Sequence, residues 1–405
     1  MDIIKNINPL CLAVSPLAVV ARAIHQIPIA MKNKTRDLSY HKYTDDVLPA
    51  DTRFVDDVWQ SFQFAKWQFN DKWCGTDIYE QRVNEWSMKN FGVPGNCIRW
   101  NDTPKSYIEM ITRKKPSTVI KNHTHLIVVC EETKTTLGFM DHYYCDGNSL
   151  MDYFQCIFIE EKPTFPKFPS YTYYPFVSDA MAIQMASKQV IEILKYPSQV
   201  QGIDDKLRVL SKRFSKNDDL EWNRWTIYAI STLPVFESMP NVEYLHVGLT
   251  VGFDTDQTFG NNRIGMILVR IVRPKQDGTY NDRIRDIMEQ YKTQAIANYT
   301  DAHTTHDILR GYDVRYLRRF GMKAVIDIVF TALYFKEELP GFENGVGGFV
   351  GAFSEYEFLY INAVSVGNKT CLTYVSNLKQ MNYDTLTNDG MAIKYEFDNK
   401  DPHQY

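Results

Sequence analysis

The sequence predicts an α/β (mixed α+β) chain of two domains or one large two-lobed unit. Three observations carry this expectation. The chain has 405 residues, which suits two domains or one large two-lobed unit. The stretch 124–154 reads as strand, polar turn, strand, then residues at helical spacing. The stretch 246–299 reads as strand, loop, strand and helix. With 44% hydrophobic and 23% charged residues, a packed core is expected and disorder is not.

The elements follow in order. Pro9 to Met31 is apolar but interrupted by Arg22, His25 and Gln26 and by Pro16 and Pro28. It reads either as a packed element of the first lobe or as a targeting or membrane-contact segment, too broken to span a bilayer. Residues 32–50 are polar and loop-like. Asp51 to Phe91 is rich in Trp and Phe, and Phe54, Val58, Phe62 and Ala65 fall at helical spacing. Residues 92–121, with Pro94-Gly95, Pro104 and Pro116, read as loops around a short strand and helix. Leu126–Cys130 and Thr136–Tyr144 then form a hairpin about the polar Glu131–Thr133. Leu150, Met151, Phe154 and Phe158 are spaced as a helix.

Lys162 to Pro175 holds four prolines and reads as an extended crossing segment. Ser178 to Val209 is helical in pattern, and Glu221 to Pro240 is Trp-rich, then strand-like. Asn281 to Tyr299 is a helix with Ile284, Ile287, Met288 and Tyr291 on one face, and Leu309 to Leu333 is a second helical stretch. Gly341 to Gly351 carries five glycines and reads as a mobile loop at a cleft or a tight packing turn. No Lys-Ser/Thr follows, so it is not a phosphate loop. Phe358–Val366 and Thr370–Val375 form a last hairpin. The expected organisation is a first lobe over 1–175, a helical crossover over 176–225, and a second lobe over 226–405.

Charge and cysteines narrow the function classes. A net charge of −4 offers no basic excess for nucleic acid. Seven cysteines without C-x-x-C spacing read as reduced thiols of an intracellular, cytoplasmic protein, not as a disulfide or zinc framework. His123 with His125, and His303 with His306, are metal-like pairs without a visible third ligand; surface or packing roles are the plainer reading, and no metal is expected.

The chemistry-bearing element is His142-Tyr-Tyr-Cys145-Asp146-Gly147, an H-x-x-x-D-G at a strand-turn-helix junction. A His titrates near ~6.5 and exchanges protons near neutral pH. An Asp in the turn fixes the local backbone or pairs with an Arg. A Gly after it permits positive φ or close approach of a ligand. Scaffold ends of this kind are where chemistry is displayed.

This motif resembles the active-site motif of the CoA-dependent acyltransferase superfamily: chloramphenicol acetyltransferase, BAHD enzymes, wax ester synthase/diacylglycerol acyltransferases and peptide-synthetase condensation domains. Many members carry H-H-x-x-x-D-G. Here Asp141 stands at the first His, as BAHD enzymes also lack it, and His142 matches the catalytic one. The stretch His246 to Ile271, with Gly260-Asn261 before an apolar strand, is similar to a wax ester synthase pattern. The last hairpin and Asp384 resemble the family's closing hairpin.

The resemblance implies two chloramphenicol acetyltransferase-like lobes, each a mixed sheet covered by helices, with the active site in a tunnel between them. It also implies transfer of an acyl group from acyl-CoA, as co-substrate, to an alcohol or amine, with no permanently bound cofactor and no acyl-enzyme. His142 would be the general base, Asp146 a structural residue paired with an Arg, and Gly147 the space for ligand. Asn261 is the candidate oxyanion donor, with Asn262 as substitute, and Cys145 packs. Gly260-Asn261 points toward fatty acyl groups and ester synthesis. The rival expectation is a catalytically inactive acyltransferase-like fold serving as a structural or protein-interaction module.

Overall fold

The computed structural model describes residues 61–68, 73–91, 94–95, 97–99, 125–141, 156–157, 191–192, 194–215, 220–252, 264–298, 326–335, 344–351, 359–366 and 369–398. In chain order the first half holds β1 Ser61–Gln68, α1 Thr76–Phe91, β2 Cys97–Arg99, β3 His125–Cys130, β4 Thr135–Asp141 and β5 Ile203–Ser215. Then come α2 Arg224–Ser238, β6 Tyr244–Gly252, β7 Ile264–Val272, α3 Tyr280–Ala297 and β8 Ile328–Phe335. The chain continues through β9 Asn344–Gly351, β10 Leu359–Val366, β11 Lys369–Leu378, α4 Tyr383–Asn388 and β12 Ala392–Asp398.

The strands form two mixed sheets, as the sequence predicts. The first has five strands in the order β2-β3-β4-β1-β9, with β2 and β3 parallel and the other neighbours antiparallel. The second has seven, ordered β12-β5-β11-β10-β8-β6-β7, with β6, β8 and β10 parallel.

The predicted hairpin forms between β3 and β4, in register from His125 opposite Met140 to Cys130 opposite Thr135. Its turn closes through the Lys134 amide, which donates to the Glu131 carbonyl at 3.2 Å, with Lys134 at φ +49°. Beside it α1 buries Tyr79, Val83 and Trp86, one face at i, i+4 and i+7.

In the second sheet, Leu249, Phe330, Ile361, Tyr374 and Leu210 form one apolar row across five strands. The helices α2 and α3 cover that face. The Tyr228 ring stands edge-on to Phe330 at 4.6 Å, and the Tyr374 hydroxyl donates to the Ser231 carbonyl. Asn223 caps α2 by accepting from the amides of Trp225 at 2.9 Å and Thr226 at 3.1 Å. Thr279 and Asp282 close a capping box on α3.

Five sequence expectations are corrected. Phe62 and Ala65 belong to strand β1, not a helix, because β4 and β9 pair with it on both sides. Residues 203–209, expected as helix, begin β5, so the expected helical crossover contributes a strand to the second sheet. Glu221–Pro240, expected as strand-like, contains α2; its apolar and β-branched residues are buried on nearly every side, which removes the helical stripe from the sequence. Residues 328–333, expected as helix, are strand β8.

The glycine-rich stretch 341–351, expected as a loop or turn, contains strand β9. Gly345, Gly347, Gly348 and Gly351 lie in it, and β9 runs against β10 and β11 of the second sheet while pairing with β1 of the first. Glycines inside a strand mark such a close backbone approach.

The outer edge of β7 is closed by side chains of α3. Gln290 accepts from the Val272 amide at 2.7 Å and donates to its carbonyl at 3.1 Å. Gln294 does the same for Arg270, at 2.9 and 2.7 Å, and Asn298 donates to the Leu268 carbonyl at 3.3 Å. Four helical residues rise about 6.0 Å and two strand residues about 6.8 Å, so the amides keep step with the strand. Unpaired strand edges invite association. Gln294→Ala is expected to cost about 1 kcal/mol in denaturant unfolding and to increase self-association in sedimentation. An unchanged midpoint and a strictly unchanged sedimentation profile would contradict this role.

Candidate functional site

The strand that leads into the motif is in place, and the motif itself lies beyond it. The strand β4 ends at Asp141, and His142 is the next residue. His142, Cys145, Asp146, Gly147, Asn261 and Asn262 lie outside the described residues, as do His123, His303 and His306. The structure therefore describes the elements that flank them.

The end of β4 is well defined. Asp141 pairs with Phe62, Phe62 with Val350, and Ser61 with Gly351. The exit of β4, the entry of β1 and the exit of β9 thus share one end of the first sheet. On the far side of the motif, Cys156 and Ile157 are buried, and Arg82 of α1 donates to the Ile157 carbonyl at 2.8 Å. The motif is bracketed by a paired strand before it and a helix-anchored carbonyl after it.

The opposite end of the hairpin is tied to α1. The Glu131 carboxylate accepts from the Trp73 indole at 2.8 Å, from the Thr76 amide at 3.1 Å and from the Thr76 hydroxyl. Gly75, at φ +102°, turns the chain into that helix. The hydrogen bonds from Thr76, then Trp73, hold the Glu131 pKa below the ordinary carboxylate range. A depressed carboxylate stabilises the fold above its unfolded pKa and loses that contribution as pH falls through the folded value. Glu131→Gln is expected to lower Tm at neutral pH, with the gap closing below roughly pH 4 as the wild type loses the same charge. A gap constant from pH 7 to pH 3 would contradict this.

The second matched stretch flanks residues 253–263 with β6 and β7, paired from Tyr244 opposite Val272 to Gly252 opposite Ile264. Its first strand carries His246, only 1% exposed, beside a buried Asp327. The Asp327 carboxylate accepts from the His246 amide at 2.7 Å and from the Ser198 hydroxyl. The His246 ring bonds the Tyr196 carbonyl through Nε2 at 2.8 Å. Ser, His and Asp meet here, but the imidazole does not join the hydroxyl to the carboxylate as a nucleophilic triad requires.

What the cluster does is dock Glu192 and residues 194–201 on the second sheet. The Arg270 guanidinium lies 3.6 Å from the Tyr196 ring centre and pairs with Glu192 at 2.6 Å. Gln199 accepts from the Glu243 amide at 2.7 Å, and Tyr244 donates to the Pro197 carbonyl at 2.7 Å. No spacing in the sequence announces these joints, because their partners are far apart along the chain.

Among the described residues no group of three or more His, Cys, Asp or Glu could hold a metal ion. Cys97 and Cys130 are free thiols. Burial, helped by nearby Glu80, pushes the Cys97 pKa up to about 12, which keeps it protonated and unreactive. Among the described residues no helix is long and apolar enough to cross a membrane; residues 9–31 lie outside them.

These two mixed sheets and their helices have the fold of a condensation domain. One similar solved structure is the starter condensation domain of rhizomide synthetase RzmA, a double mutant in complex with C8-CoA and Leu-SNAC. It is 11% identical at a TM-score of 0.53, covering 79% of this chain and 84% of that one. A single mutant of the same domain with C8-CoA gives 11% and 0.51 over 79% and 84%. The double mutant with C8-CoA alone gives 10% and 0.51 over 81% and 86%. No family model and no curated protein matches the chain.

Proposed function

We propose that the chain is an acyltransferase that moves an acyl group from an acyl-CoA, or a similar thioester, to an alcohol or amine. The observation that carries the reading is the position of the H-x-x-x-D-G motif, which begins at the residue after β4 in a condensation-domain fold. The neighbours' C8-CoA and Leu-SNAC are a thioester donor and an aminoacyl thioester, which agrees with that chemistry.

In the proposed reaction His142 takes the proton from the acceptor O–H or N–H as the acceptor attacks the thioester carbonyl. The tetrahedral oxyanion needs a donor, for which Asn261 is the candidate. Collapse breaks the C–S bond, and His142 returns the proton to the leaving thiolate. No acyl group is carried on the protein. Asp146 holds the turn and Gly147 leaves room for the ligand.

The test is thiol release from a panel of acyl-CoAs with pooled alcohols and amines. Release that requires both an acceptor and His142 supports the reading. Silence across the panel, with no acyl-CoA binding by calorimetry, refutes it and favours an interaction module, a reading to which Asp141 at the first motif position already lends weight.

A further inference from the structure

The second sheet has two edges, and they differ. At β7 the side chains of Gln290, Gln294 and Asn298 close the outer side. At the other end β12 pairs with β5 on its inner side. Among the described residues no strand and no side chain bonds the backbone on its outer side. Ala392, Ile393 and Lys394 are exposed there, Ile393 by 45%. An open edge is a row of amides and carbonyls that another strand can complete.

The charges on β12 say which strand fits. Two copies related by a two-fold axis pair their edges antiparallel about one residue that faces itself. Centred on Tyr395, Lys394 of each copy stands opposite Glu396 of the other. Glu396 already pairs with Arg208 at 2.9 Å and Lys206 at 3.8 Å, yet its side chain is 39% exposed and can meet a third cation. Unlike charges facing across a strand pair are favourable, and like charges are unfavourable. Centred on Lys394 or on Glu396 instead, a charge faces its own copy. A foreign strand would meet the exposed lysine and the bulge between Ile393 and Tyr395, both of which discourage chance pairing. In the register about Tyr395 the lysine becomes a contact.

We propose that β12 is a self-association edge: two copies of this chain pair antiparallel about Tyr395 and join their second sheets into one. The proposal is independent of the acyl-transfer reading. A single pair of short strands buries less than the roughly 1,600 Å² of a standard interface, so the dimer is a weak one in the micromolar range.

Sedimentation of the full chain from about 1 µM to about 1 mM spans the relevant affinities. The wild type is expected to pass from monomer to dimer. Lys394→Glu sets like charges opposite at both ends of the pair and is expected to weaken the dimer about 30-fold at an unchanged Tm. Glu396→Lys does the same with the signs reversed. Mixed in equal amounts, the two variants again present unlike charges at both positions. A heterodimer of near wild-type strength is expected, although each variant alone associates poorly. Lys394→Arg keeps the charge and is expected to keep the dimer; it is the control should Glu396→Lys, deprived of its Arg208 pair, fail to fold. A wild type that stays monomeric at every concentration overturns the proposal and leaves the edge to a strand of another protein. A dimer that Lys394→Glu does not weaken, one that Lys394→Arg weakens as much, or a mixture of folded variants no tighter than either alone overturns it too.

Discussion

Replacing His142 by alanine is expected to lower acyl transfer by roughly 10²- to 10⁴-fold, the usual contribution of a positioned general base, with Tm unchanged. The β4 strand before it is secured through backbone pairing: Asp141 to Phe62 on one side and Met140 to His125 on the other. None of those bonds uses the His142 side chain. The loss should therefore appear in kcat, with acyl-CoA binding retained. Asp146→Ala is expected to lower both activity and Tm, since its proposed work is to hold the turn. Stopped thiol release and thermal melts on both variants make the comparison. Wild-type turnover by His142→Ala would refute the mechanism, and so would a His142→Ala protein that melts as early as Asp146→Ala.

Phe330→Ala is expected to have the largest effect on stability, about 3–5 kcal/mol, or a Tm lower by on the order of 10 °C. The ring is fully buried and central in the row Leu249, Phe330, Ile361, Tyr374 and Leu210. It also receives the edge of Tyr228 at 4.6 Å, a contact worth about 0.5–1.5 kcal/mol beyond burial. Close packing beneath α2 leaves little room for the neighbours to fill the hole. Phe330→Leu, which keeps most of the volume, should cost well under half as much. A chemical melt giving less than about 1 kcal/mol for Phe330→Ala would mean that the site collapses around the smaller residue.

Elements whose partners are close in sequence were legible. The β3–β4 hairpin has its turn chemistry and both apolar runs within one short stretch, and α3 shows its buried Ile284, Ile287 and Tyr291 as a periodic face. Elements defined from a distance were not. Ser61–Gln68 has no local sign that β4 and β9 will flank it. Gly345, Gly347 and Gly348 look like a loop until β10 and β11 supply the backbone that needs the space. The α2 residues Thr226 to Phe236 lack a polar stripe because almost all are buried.

The candidate site divides in the same way. Its reactive residue, His142, stands out by motif. The parts that hold the motif's surroundings, Arg82 on Ile157 and Glu131 on Thr76, pair residues too far apart to be found by spacing.

The strand β9 has a consequence for how the protein is made. The first sheet takes its last strand from a segment that follows most of the second sheet in the chain. During synthesis the early strands must therefore wait, with one side of β1 bare, until the ribosome has passed Gly351. Such late, long-range pairing is slow and leaves nascent chains prone to stick to one another. An N-terminal fragment ending before β9 should aggregate, and a synthetic peptide of residues 344–351 added during its refolding should rescue solubility.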